Sequence, residues 1–354
     1  MMADRLAREL RVRPDEQALA RLTQIDRIEA EDHSPLGSWP AQIIDLALPR
    51  AEEAAHALSH VGMTGLLGID LAGDLPPVDP DHFDMMLTIR PGAPAPWVSL
   101  RADRIESEAE SILQAVYRTP VTATSLCRIL RMNGNMPFRD AVALESFAYS
   151  ALLGGSEFGH WNCMRGPEGS LQTNPFPVEV EREADHLTIT LADRASGNGM
   201  SAIMRDALFN ALVGALEDPT CPRVSLLGKG RCFSTGGVLG EFGTARDLAQ
   251  AHIIRTTRSC ALLLHELGDR ADVVLNGACI GSGLEVPVAA AIRRATSDAW
   301  FQLPEVKMGL IPGAGGTVSI TRAIGRQRAC YMMLSGRRIS AKAGLDWGLV
   351  QELV

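Results

Sequence analysis

Two hydrophobic rhythms divide the chain. Between residues 104 and 161 apolar side chains return at helical spacing. Ile105, Ile112, Val116 and Tyr117 form one stripe. Pro120 opens a second helix with Leu126, Ile129 and Leu130 on one face, and Asn133-Gly134-Asn135 ends it. Pro137 opens a third, whose apolar residues are Val142, Leu144, Phe147, Leu152 and Leu153. Ahead of this stretch, residues 43–48, 63–71 and 85–89 read as strands and 51–60 as a helix. A loop rich in Gly, Pro and Asn over residues 165–177 predicts a domain or subdomain boundary. Beyond it a period of two takes over. Residues 178–183 and 186–192 alternate about Ala184-Asp185, the pattern of a β-hairpin. Helices are then expected over 201–216, 245–267, 284–293 and 319–334, with short buried strands at 224–227, 273–275 and 300–303. This alternation implies an α/β architecture built from ββα-like units.

Composition narrows the function classes. The chain has 354 residues, 46% hydrophobic and 21% charged, so it is globular and not disordered. The net charge of -8, with 42 acidic against 34 basic residues and no Lys/Arg run, argues against nucleic acid as the main partner. No apolar stretch approaches the ~20 residues of a membrane helix, and the charged first fourteen residues do not read as a signal peptide. Seven scattered cysteines, an odd number with no C-x-x-C pair, fit a reduced cytoplasm and neither a disulfide framework nor a zinc cluster. His33, His56, His60 and His82 lie too far apart in sequence to suggest a metal site.

Three glycine-bearing segments carry candidate chemistry. Residues 228–237 follow a buried strand and end in Gly236-Gly237, whose backbone freedom lets a ligand approach closely. Their N–H groups suit a developing oxyanion, although an ordinary tight loop has the same composition. Residues 276–285 run from a strand through Gly281-Ser282-Gly283 into a helix start bearing Glu285. A dinucleotide fingerprint fails there because Val286 replaces the third glycine. Residues 303–317 place Glu305 at a strand end before a glycine loop, and a phosphate-binding P-loop fails because no Lys precedes Thr317.

In order and spacing these segments resemble the crotonase (enoyl-CoA hydratase/isomerase) superfamily over about residues 177–354. Asp193-Arg-Ala-Ser-Gly-Asn-Gly-Met looks like its early Asn-Arg-Pro…Asn-Ala segment, and Phe233-Ser-Thr-Gly-Gly-Val-Leu like its Phe-Ser-x-Gly-x-Asp-Leu motif. Pro304-Glu305 through Gly309-Leu-Ile-Pro-Gly-Ala-Gly-Gly-Thr317 is the most specific match, and residues 334–350 resemble the segment that follows it. The resemblance implies a crotonase-like spiral of ββα units acting on an acyl-CoA thioester, with coenzyme A present only as part of the substrate and no metal. It implies an oxyanion hole from the amides of Gly237 and Ser282, with Phe233, Thr235, Gly236 and Gly283 lining the substrate. Both carboxylates used by hydratases are present. Glu285 is expected to orient and deprotonate water, and Glu305 to exchange the proton at the α-carbon. That pair favours hydration of a 2-enoyl-CoA over isomerisation, thioester hydrolysis or acyl-CoA binding without turnover. The family resemblance further implies a trimer or hexamer.

Departures accompany the resemblance. Val238 stands where the family has Asp, Ser282 where many members have Gly, and Pro287 falls close behind Glu285. Residues 101–165, including Thr119-Pro-Val and Phe138-Arg-Asp-Ala-Val-Ala-Leu-Glu-Ser-Phe-Ala-Tyr149, look like the helices that typical members carry after the 349–350 region. The expected organisation is therefore an added module (1–100), a helical subdomain moved to the front in the manner of a circular permutation (101–165), and a catalytic core (176–354). His252 and His265 are expected to be packing or surface residues, Tyr149 and Trp161 to be core, and Cys232 and Cys279 to flank the pocket as inert thiols.

Overall fold

The computed structural model describes residues 31–61, 63–166 and 174–354. The chain divides into two compact units. One runs through Arg131 and includes Gly325–Ser335; the other comprises Met132–Ile324 and Gly336–Val354. This division falls within the front helical segment rather than at its ends. Ile105–Arg118 and most of Pro120–Met132 go with the first unit, while Phe138–Leu153 and Ser156–Arg165 go with the second. Residues 1–30 and 167–173 of the expected module and boundary loop lie outside the described residues.

The first unit is built on a four-stranded parallel sheet in the order β1 (Ala41–Asp45), β2 (Gly65–Asp70), β3 (Met85–Thr88), β4 (Val98–Ser99). The helix Ala51–Val61 connects the first two. Ile44, Leu58, Leu66, Phe83, Met86 and Trp97 form its core. The helix Arg326–Ser335 is tied in through Arg328, which donates to the carbonyls of Trp97 and Ala93. Three of the four histidines that look scattered in sequence meet here. His56 and His60 sit one turn apart with ring centroids at 4.2 Å, and the His82 ring lies 4.9 Å from that of His56. Among the described residues no group of three or more His, Cys, Asp or Glu side chains is placed to hold a metal ion.

The second unit carries two sheets. The six-stranded one has the order β14 (Glu352–Leu353), β11 (Ile292–Ala295), β9 (Ala271–Leu275), β7 (Arg223–Gly228), β6 (His186–Leu191), β5 (Val178–Glu183). Only the β5/β6 hairpin is antiparallel. The four-stranded sheet is β13 (Ile339–Ser340), β12 (Trp300–Gln302), β10 (Ala278–Ile280), β8 (Cys232–Ser234). The successive pairs β7/β8, β9/β10 and β11/β12 each send one strand to each sheet. This is the ββα repeat that the alternating pattern predicts, and it gathers the loops after β8, β10 and β12 at one end of the smaller sheet.

Three expected helices are shorter than their periodicity suggests. The stretch 245–267 splits into Leu248–Thr257 and Cys260–Leu267 because Ser259 caps the second segment, accepting from the Leu262 N–H at 3.2 Å. The stretch 284–293 is one helical turn, Ser282–Glu285, followed by a 3₁₀ turn at Pro287–Ala289 and then β11. Pro287 has no N–H to continue an α-helix. The stretch 319–334 breaks at Gly325, whose φ of +84° is the left-handed region. Among the described residues no helix is long and apolar enough to cross a membrane.

Candidate active site

The site lies in the second unit, where the loops after β8, β10 and β12 converge. The first loop is pinned from behind. Asn198 (φ +56°) donates its side-chain N–H groups to the carbonyls of Lys229, Cys232 and Phe233 at 3.0–3.1 Å. Ser234, fully buried, donates to the Asn198 carbonyl at 2.7 Å and accepts from the Gly236 N–H at 3.1 Å. Gly236 (φ +87°) presses against the second loop: a side chain there would begin 2.6 Å from the Ile280 carbonyl oxygen. The ring of Phe242 occupies the space a side chain at Gly237 would need. Among the described residues the N–H groups of Gly237 and Ser282 have no hydrogen-bond partner.

Glu285 closes the single turn Ser282–Glu285 and is buried. Its Oε2 accepts from the N–H groups of Ala314 (2.7 Å) and Gly316 (3.1 Å). Glu305 opens a 3₁₀ turn after β12 and is 8% exposed. Its Oε1 lies 2.6 Å from where a side chain on Gly281 would begin, so Gly281 (φ +50°) makes room for the acid. Its Oε2 is buried without a partner. Burial pushes the Glu305 carboxyl up to about 8, with the charge of Glu145 adding to it. Burial also pushes Glu285 well above the ordinary carboxylate range, aided by the charges of Glu305 and Glu145. Two buried acids that repel each other's charge retain a proton between them near neutrality, so the pair is equipped to give one proton and take another.

The remaining candidates are placed differently. The Phe233 side chain is 1% exposed, so it belongs to the core and acts on the loop only through packing. Gly283 lets its helical turn approach β8, since a side chain there would begin 2.5 Å from the Ser234 Cβ. Thr235 is exposed, and its N–H and hydroxyl donate to the carbonyls of Gly197 and Ser196, both at 3.0 Å. Cys279 is buried and Cys232 half-buried. His252 hydrogen-bonds Ser146 and stacks on Phe147, and His265 stacks on Phe138.

Two residues of the front helix Phe138–Leu153 enter the site unforeseen. Glu145, fully buried, accepts from the Gly315 N–H (2.7 Å), the Thr317 N–H (2.8 Å) and the Thr317 hydroxyl (2.7 Å). Burial raises its carboxyl to about 7 against those hydrogen bonds. Tyr149, read from sequence as core, packs on Gly313 with the Arg255 guanidinium 4.5 Å above its ring. An acid on an otherwise apolar helical face was the available signal for Glu145. Tyr149 left none.

The sequence model of the enoyl-CoA hydratase/isomerase family matches residues 181–354. The chain is 31% identical over 174 residues to 2,3-dehydroadipyl-CoA hydratase of Escherichia coli (strain K12), covering 49% of this chain and 68% of that protein. It is 33% identical over 179 residues to the putative enoyl-CoA hydratase/isomerase YngF of Bacillus subtilis (strain 168), covering 50% and 68%. A solved enoyl-CoA hydratase from Thermoplasma volcanium GSS1 aligns over 51% of this chain and 72% of its own, with 31% identity and a TM-score of 0.46. The likeness to the two relatives extends over two thirds of their length, and the chain therefore belongs to the enoyl-CoA hydratase/isomerase family, the crotonase superfamily.

Proposed function

We propose that this protein hydrates a 2-enoyl-CoA thioester, with Glu285 and Glu305 as the acid–base pair. The observation that carries the reading is the convergence of two buried carboxylates, which together retain a proton, on loops that also present the free amides of Gly237 and Ser282.

In this reading the thioester oxygen sits between those two amides, which stabilise the negative charge of an enolate. One such donor is worth on the order of 10²–10³ in rate. Glu285, whose anion is held by the amides of Ala314 and Gly316, takes a proton from water as the water oxygen bonds to the β-carbon. The electron pair of the double bond moves to the thioester as an enolate. Glu305, whose Oε2 has no partner to favour the anion, enters protonated and delivers its proton to the α-carbon. The cycle leaves Glu285 protonated and Glu305 ionised, and one proton passed between them restores the start. Retention of both acids supports hydration over the other reactions of the superfamily, because adding water requires a base for the water and an acid for the carbon.

The test is turnover of a panel of 2-enoyl-CoA substrates, with products identified. Glu305→Gln is expected to lower kcat about 10²–10⁴-fold, the range for loss of one acid–base group. Unchanged turnover in that variant, or no hydrated product from any substrate, overturns the reading.

A further inference from the structure

We propose that Glu145 is a positioning residue for the Glu285–Glu305 pair: it shares the 314–317 amides with Glu285 and sets, by its own charge, how firmly the pair holds its proton. This rests on the hydration reading.

Four successive backbone N–H groups at the start of the helix Gly316–Ile324 are divided between two buried acids. Ala314 and Gly316 donate to Glu285, and Gly315 and Thr317 donate to Glu145. The alternation needs the backbone to turn through Gly315 at φ +104°. Each acid therefore fixes the loop for the other. Glu285 on its own leaves the amides of Gly315 and Thr317 without an acceptor. Leu or Met would fill the volume of Glu145 without the cost of burying a carboxyl, so packing does not account for an acid here.

The charged and titratable neighbours of Glu145 come from every packed element. From the helix Leu248–Thr257 come Arg255, which bonds Ser146 and Ser150, and His252, which bonds Ser146. Its own helix supplies Tyr149, and the two catalytic loops supply Glu285 and Glu305. The helix Gly316–Ile324 supplies Thr317 and, at Phe138 two turns away, Arg322. The helix Cys260–Leu267 directs His265 and Glu266 to Phe138 and Arg139, and the helix Ser156–Arg165 places Glu157 beside Gly309. Arg255 is the cation that bears on Glu145, and the other acids of the site repel it.

The consequence has a sign. An ionised Glu145 makes it harder for the pair to lose its proton. Replacing Glu145 with a neutral side chain removes that repulsion where Glu145 is ionised, on the alkaline side. The test uses the full chain and Glu145→Gln. Infrared spectra of the ligand-free protein follow the C=O stretch of buried protonated carboxyls through pH. The last part of that band is expected to vanish about half to one pH unit lower in the variant. The alkaline limb of the kcat profile is expected to move with it, a three- to tenfold relative loss by about pH 9, with the acid limb in place. A band and limb that stay put, whatever happens to kcat, overturn the inference and reduce Glu145 to a loop anchor. A moved band in a protein that hydrates no enoyl-CoA overturns the hydration reading instead and upholds the link between the acids. Should Glu145→Gln fail to fold, Glu145→Met serves: it fills the same volume, removes the same charge, and is expected to move the band and the alkaline limb the same way, while a band that stays put in it overturns the inference.

Discussion

Gly316 shows how little space the site leaves. Its first side-chain carbon would begin 2.5 Å from the Glu285 Cγ and 2.9 Å from Oε2. Gly316→Ala is expected to displace the carboxylate and lower kcat by tenfold or more, since misplacing a reacting group by about 1 Å costs up to about 10². The stability loss should be smaller, about 1–3 kcal/mol for overpacking. Measuring kcat alongside urea unfolding separates the two, and an active Gly316→Ala enzyme would show that Glu285 does not need its present position. At this scale the sequence is legible where chemistry and motif coincide within a few residues. Glu285, Glu305, Gly237 and Ser282 all stand on the converging loops. The Phe233 side chain is buried in the core, a direction that a motif does not reveal for a strand residue. Glu145 escaped because it lies 140 residues before Glu285 in the chain.

Between residue and molecule, the elements that position the site are held by caps and staples more than by periodicity. Asn198 is the clearest case, with three hydrogen bonds into the strand and loop around β8. Asn198→Ala loses all three and puts alanine at φ +56°, where asparagine is better tolerated. A destabilisation of about 2–4 kcal/mol is expected from hydrogen bonds worth about 1 kcal/mol each plus backbone strain. Calorimetry or urea unfolding measures it, and weaker binding of an acyl-CoA analogue should accompany it because the Gly236-Gly237 turn loses its anchor. A wild-type unfolding midpoint would mean that other contacts hold the loop. The break at Ser259 belongs to the same class. Apolar residues continue through 245–267 at helical spacing, but a serine hydroxyl that satisfies a free N–H starts a new helix there.

Across the second unit, three buried acids make folding depend on pH. Glu145 and Glu305 titrate near about 7 and about 8 when folded, above the ordinary value near 4.5, and Glu285 is also raised. Between those limits the folded chain binds more protons than the unfolded one, so stability falls as pH rises from about 5 through 8. Glu305→Gln removes one of these ionisations. Its advantage over wild type is expected to grow across that window and reach on the order of a few kcal/mol at alkaline pH, while turnover is lost. Urea unfolding at several pH values checks this, and a difference independent of pH would contradict burial as the cause. The hairpin, the ββα alternation and the acid-bearing loops follow from local pattern, because periodicity and glycine placement act over a few residues. The tertiary structure decided what local pattern cannot encode: the division of the front helices between two units, the gathering of three distant histidines, and the entry of Glu145 and Tyr149 from the front helix into a site whose other residues all come from the far half of the chain. Those outcomes depend on which buried donors and acceptors meet once the chain is packed, and no spacing along the sequence specifies that meeting.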